Sequence, residues 1–223
     1  MAGTAITIER DGRKVTGYLA EPAATPKAGV VVIQEWWGLT DDIRTIADRF
    51  AAEGYLAFAP DMYHGSVATE PDEARKLAMA LERDIAAEEI DAVIGWMKAE
   101  RGVGKAGCIG FCMGGSLTLA TALRPASNVD AVHVFYGGGM PPAERIATIA
   151  VPVMGSYGAL DTGIPAEQVT MLRETLERAG VPNDVRLYEG AGHSFFNNGP
   201  AHHEPSAADA WQRTLQWFGT HLT

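Results

Sequence analysis

Gly110-Phe111-Cys112-Met113-Gly114-Gly115 stands between a continuously apolar run, Ala106–Phe111, and a helical stretch, Met113–Leu123. A strand that turns straight into a helix leaves no room for side chains beside the turn. Glycine two places before and two places after the apex relieves that crowding. The apex residue is then held in a strained backbone conformation with its side chain lifted above the sheet. Here the apex is Cys112, and the Met113 N–H follows it at a helix N-terminus, where unpaired amides favour negative charge.

Outward from this turn, strand runs and helical runs alternate. Ala5–Glu9 and Val15–Ala20 read as two strands around the Asp11-Gly12 turn. Val30–Gln34 is apolar without alternation, the pattern of a strand buried on both faces. Asp41–Glu53 reads as an amphipathic helix with Thr40 as N-cap and Gly54 at its end. Tyr55–Ala59 is a second buried strand, stopped by Pro60. Pro71–Arg101 reads as helical throughout, with Asp84 the place for a break. Further strands are expected at Val129–Phe135, Val151–Tyr157 and Val185–Tyr188, with helices at Pro165–Gly180 and Glu204–His221. The alternation implies an α/β chain with a mostly parallel central sheet and helices on both faces, in a single domain over residues 1–223. In such sheets ligands meet the carboxyl ends of the strands.

Bulk properties narrow the function classes. The chain has 223 residues, 47% hydrophobic, with 18 Lys and Arg against 28 Asp and Glu, for a formal charge of −10. An acidic chain speaks against nucleic acid or an anionic membrane as partner, since both require a basic patch. No run of 18 apolar residues occurs, and Met1–Lys14 lacks the basic-then-apolar order of a secretory signal. A cytoplasmic protein is expected. Cys108 and Cys112 lack His or Cys partners at metal-ligand spacing, so neither a metal nor a cofactor is expected. Cys108, inside the strand, reads as a small core residue.

A thiol nucleophile needs a base, and the base needs an acid to orient it. The glycine turn matches the G-x-S-x-G nucleophile elbow of the α/β-hydrolase fold, with cysteine in place of serine. In that fold the acid and then the histidine follow the nucleophile. Asp161, in Gly158-Ala159-Leu160-Asp161, comes just past one buried run, and His193, in Ala191-Gly192-His193-Ser194-Phe195, just past the last. All three candidates fall at carboxyl ends of strands, in the required order.

With these motifs in view, the sequence resembles the dienelactone hydrolase (carboxymethylenebutenolidase) family from Val30 to Phe218, including Gln34-Glu35-Trp36-Trp37-Gly38 and Ala59-Pro60-Asp61-Met62-Tyr63. The resemblance implies a Cys112-His193-Asp161 triad. It also implies that Glu35 keeps the resting thiol neutral and helps remove its proton, and that the Met113 and Trp36 N–H groups hold the oxyanion. Trp37, Tyr63, His64, Arg75, Phe195 and Phe196 are the candidate substrate contacts. Dienelactone-specific members clamp the substrate carboxylate with two arginines. Here Ser194-Phe195-Phe196-Asn197-Asn198 follows the histidine without an arginine, and the matching helical position falls near Pro71, with Arg75 and Lys76 the nearest basic residues. The expected partner is therefore a small-molecule ester or lactone met by an aromatic, less anionic pocket, and the expected assembly is a monomer or small homo-oligomer. Two other readings stay open: a broad carboxylesterase or thioesterase, and a non-catalytic relative that binds a small molecule.

Overall fold

Eight strands form one sheet in the order β1-β2-β4-β3-β5-β6-β7-β8 in the computed structural model, which describes residues 2–223. The strands are β1 (Thr4–Arg10), β2 (Arg13–Ala20), β3 (Gly29–Ile33), β4 (Leu56–Pro60), β5 (Ala106–Phe111), β6 (Ala131–Phe135), β7 (Val153–Gly158) and β8 (Asn183–Tyr188). From β4 to β8 every pairing is parallel, and the β1–β2 hairpin joins that block antiparallel through β2 and β4. Strands β3 to β7 are buried along their whole length, which is why each reads as an unbroken apolar run.

The helices are α1 (Asp41–Ala52), α2 (Pro71–Ala80), α3 (Arg83–Glu100), α4 (Met113–Ala122), α5 (Ala143–Ile146), α6 (Ala166–Arg178) and α7 (Glu204–His221). Small residues on the strands let them approach. A β-carbon at Gly29 would press on Met97 of α3, whereas one at Gly107 would meet Phe218 of α7. Gly29 is in register with Ala106, the neighbour of Gly107. Adjacent residues of a strand point to opposite faces, so α3 and α7 cover opposite sides of the sheet. Helix α1 joins α7 through Phe50, edge-on to Trp211 at 4.8 Å.

Several boundaries differ from the sequence reading. The helical stretch breaks at Leu81-Glu82, both extended, close to Asp84 where a break was expected. Helix α2 buries only Ala74, whereas α3 buries a broad face, and the two line one cavity across the break. Thr40 occupies the N-cap position of α1, but its side chain makes no capping bond. The one-turn helix α5 follows Pro141-Pro142 and is too short to leave a periodic signal. Strand β7 starts after Pro152, whose nitrogen cannot donate to a ladder.

Candidate active site

Each elbow glycine is required by a specific close approach. A β-carbon at Gly110 would overlap the Gly114 carbonyl, one at Gly114 would overlap the Ile33 and Gln34 carbonyls, and one at Gly115 would overlap the Phe135 carbonyl. With these contacts closed, Cys112 adopts φ 53° and ψ −112°, a conformation that costs of order 1–3 kcal/mol in a non-glycine residue. The Cys112 N–H donates to Phe135 O at 3.1 Å, which ties the strained residue to the end of β6.

Two more strand ends supply an acid and an imidazole. Asp161 follows β7, and its Oδ1 accepts the Gly163 and Ile164 amides at 2.8 and 3.2 Å. Its Oδ2 lies 2.6 Å from His193 Nδ1. The Asp161 side chain is 2% exposed, whereas the imidazole is 39% exposed. A β-carbon on Gly158 would strike the Ala191 and Gly192 carbonyls, so the acid's strand end and the histidine's loop are packed against each other. Such an acid fixes the ring orientation and leaves Nε2 free toward the opening.

Glu35 sits on the opposite flank. Its carboxylate accepts the Ser194 hydroxyl at 3.2 Å, next to His193, and makes no side-chain bond to the loop before Thr40 among the described residues. Burial raises its pKa, while the nearby Asn197 amide, the Ser194 hydroxyl and the His193 charge act in the other direction. Facing it, the Cys112 thiol is pushed up to about 12, first by burial and then by the Glu35 charge, with the Met113 N–H favouring the thiolate. Cys112 Sγ makes no side-chain hydrogen bond among the described residues, His193 included. The resting thiol is therefore neutral. At the neighbouring loop, the Trp36 N–H has no backbone or side-chain acceptor among the described residues.

The remaining candidates divide. Tyr63 is buried, and its hydroxyl lies 3.2 Å from Met113 Sδ. His64 follows it at φ 51° and lines a cavity beside it. Trp37 packs edge-on against Trp36 at 5.1 Å. Arg75 does not reach this region: it is 64% exposed on α2 beside Asp72. Phe195 is a core residue, whereas Phe196 packs on the core and also lines a cavity with Arg49, Asn197 and Trp211. Phe195 is fully buried between Tyr136 and Tyr188, and Phe196 stacks on Phe111 at 5.3 Å. The strand histidine, His133, is buried with both ring nitrogens satisfied by Ser156 and Thr214 at 2.9 Å. Cys108 is buried in β5 beside Thr118.

Sequence reasoning passed over two residues here. Tyr136, just past β6 at φ 36°, places its ring 5.1 Å from His193. Ser194, at φ 59°, gives Glu35 its hydrogen bond. Position was the available signal, since one ends a buried strand and the other adjoins the histidine. Among the described residues no group of three or more His, Cys, Asp or Glu is placed to hold a metal, and no helix is long and apolar enough to cross a membrane.

The chain as a whole is similar to known proteins. The Dienelactone hydrolase family profile matches residues 15–222. "Protein usf" of Aquifex pyrophilus is 35% identical over 99% of this chain and 100% of its own length. A protein of Aquifex aeolicus named "Putative carboxymethylenebutenolidase" is 33% identical over 99% of each chain. A solved structure from Klebsiella pneumoniae, "Putative Dienelactone Hydrolase", superposes with a TM-score of 0.89 at 29% identity and covers 98% of both chains. A glycine-lined strand-to-helix turn, the sheet that carries it and a family match over almost the whole length agree: the chain belongs to the dienelactone hydrolase family, esterases of the α/β-hydrolase fold.

Proposed function

We propose that this protein hydrolyses small esters and lactones by acyl transfer through Cys112. The observation that carries the reading is the 2.6 Å contact between His193 Nδ1 and the buried Asp161 carboxylate, beside a cysteine held at the apex of the elbow. That contact leaves one imidazole nitrogen to move protons at the opening.

The proton balance is as follows. Substrate entry brings the thiol proton, by way of Glu35, to His193 Nε2. The Cys112 thiolate attacks the carbonyl carbon, a C–S bond forms, and the oxyanion is held by the Met113 and Trp36 N–H groups. His193 returns the proton to the leaving oxygen as the C–O bond breaks, which leaves an acyl-thioester. Water then attacks this thioester, its proton passes to His193, and the thiolate departs and is reprotonated. With a lactone the leaving oxygen stays tethered, and the product is a single hydroxy acid or its keto tautomer. A thiol kept neutral between turnovers is also poorly oxidised, because the thiolate is the species that oxidants attack.

The test is brief exposure to an activated aryl ester followed by intact mass. The wild type gains one acyl group on Cys112, and Cys112→Ala gains none and loses about 10⁴-fold or more in kcat/KM. An unmodified wild type that still turns over the ester would rule out a covalent route.

A further inference from the structure

The cavity beside Tyr63 is an open cleft of about 300 Å³. Met62, Leu77, Leu81 and Ile85 give it apolar walls, with His64 at one side. Its charged residues are two carboxylates, Glu82 and Glu89, and no Lys or Arg lines it. Tyr63 is the partition between this cavity and the elbow. Its ring borders the cavity, its hydroxyl meets Met113 Sδ, and the Cys112 charge acts on it from the other side.

Glu89 is the anomaly. It lies on the buried face of α3 with Ala86, Ile90 and Val93 and is only 8% exposed. It makes no hydrogen bond and no ion pair among the described residues, and burial raises its pKa. The nearest cationic side chain, Arg13, is ion-paired with Glu88, and His64 stays beyond contact distance. Its carboxylate is not sealed in the core but opens onto the apolar cavity, where no cation stands beside it. A ligand that brings a positive charge and a donor N–H would satisfy Glu89. The net charge of −10 would steer such a ligand toward the protein.

We infer that this cavity receives the far end of the substrate, and that the substrate is an ester or thioester whose arm ends in a protonated amine held by Glu89. The inference rests on the acyl-transfer reading above. The sign of charge is opposite to that required of the two-arginine clamp, which this chain lacks. Substrate would lie with its carbonyl at Cys112 and its arm around the Tyr63 ring.

A matched pair of thioesters tests this: S-2-(dimethylamino)ethyl thiobutyrate, cationic at pH 7, and its uncharged isostere S-3-methylbutyl thiobutyrate. Released thiol reports both. The wild type is expected to prefer the cationic ester, and Glu89→Gln to lower the cationic-to-neutral ratio of kcat/KM by about ten-fold or more. Ile85→Lys, which adds a like charge at the cavity mouth, should lower the same ratio in a fold whose Glu89 is intact. A ratio near one in the wild type, or one that neither variant changes, overturns the inference. If neither thioester is turned over, the acyl-transfer reading fails by itself, and calorimetry decides the cavity separately. Binding of 3-methylbutylammonium but not 3-methylbutanol, lost in Glu89→Gln, upholds the site. Absence of ammonium binding, or binding that survives the substitution, overturns it.

Discussion

Asp161 and Glu35 are both buried acids on the same rim, and they are built differently. Asp161 receives two backbone amides on one oxygen and an imidazole on the other. Glu35 accepts the Ser194 hydroxyl, has the Asn197 amide and the Tyr136 hydroxyl beside it, and opposes ionisation of the Cys112 thiol. The donors on Asp161 hold its carboxylate in place beside the imidazole, whereas at Glu35 burial outweighs the side-chain donors and favours the proton.

Two substitutions and three measurements would break or sharpen that comparison. The largest effect is expected for Asp161→Asn, which replaces the acceptor facing Nδ1 with an amide and favours the wrong tautomer. A loss of about 10³- to 10⁴-fold in kcat is expected, with the fold retained by circular dichroism. A loss below ten-fold would mean that Asp161 is no more an orienter than Glu35 is.

Next in size is the effect of Glu35→Gln on the thiol. Removing this charge takes away one of the causes that hold Cys112 up to about 12. Alkylation of Cys112 by iodoacetamide at pH 8 should accelerate by about ten-fold or less, since one pKa unit is a factor of ten, and its pH profile should move downward. An unchanged profile would leave burial as the sole cause.

The smallest effect is on stability. The folded-state pKa of Glu35 is raised by burial, so the folded protein binds this proton more tightly than the unfolded chain does. Below the unfolded pKa both states are protonated and there is no penalty. As pH rises through the folded pKa, the folded state must hold a desolvated charge and loses stability. Glu35→Gln should therefore melt a few degrees higher than wild type at pH 8, about 1 kcal/mol being worth 2–4 °C in a chain of this size. The gain should shrink toward zero as pH falls below the unfolded value of about 4.3. A gain that is constant with pH would come from packing and not from charge.

Strand positions were legible because β3 to β7 are buried on both faces and bounded by glycine or proline, so periodicity need not be resolved to find them. The elbow was legible because its glycines answer to backbone overlaps that any chain would meet. Asp161 and His193 could be nominated from order, since one follows a buried strand and the other the last strand, and the structure brings them to 2.6 Å. The direction of a side chain off a loop was not legible. Phe195 and Phe196 adjoin His193 in sequence yet point into the core, because residues past a strand end no longer alternate predictably. Arg75 failed for a similar reason: α2 turns almost all of its surface to solvent.

Glu89 did leave a trace, a charge set in the apolar stripe of Ala86, Ile90 and Val93. In sequence such a charge has no address. The sequence by itself determined a parallel sheet, a thiol at the apex of a strand-to-helix turn, and an acid and a histidine at later strand ends, because these follow from local sterics and from burial along the chain. Only the tertiary structure decided which acid faces the thiol and which faces the imidazole, and that Glu89 opens onto a cavity without a cation. The contacts of the site join residues as far apart as Glu35 and Ser194, 159 positions, and they exist only once the sheet has gathered its carboxyl edge into one place.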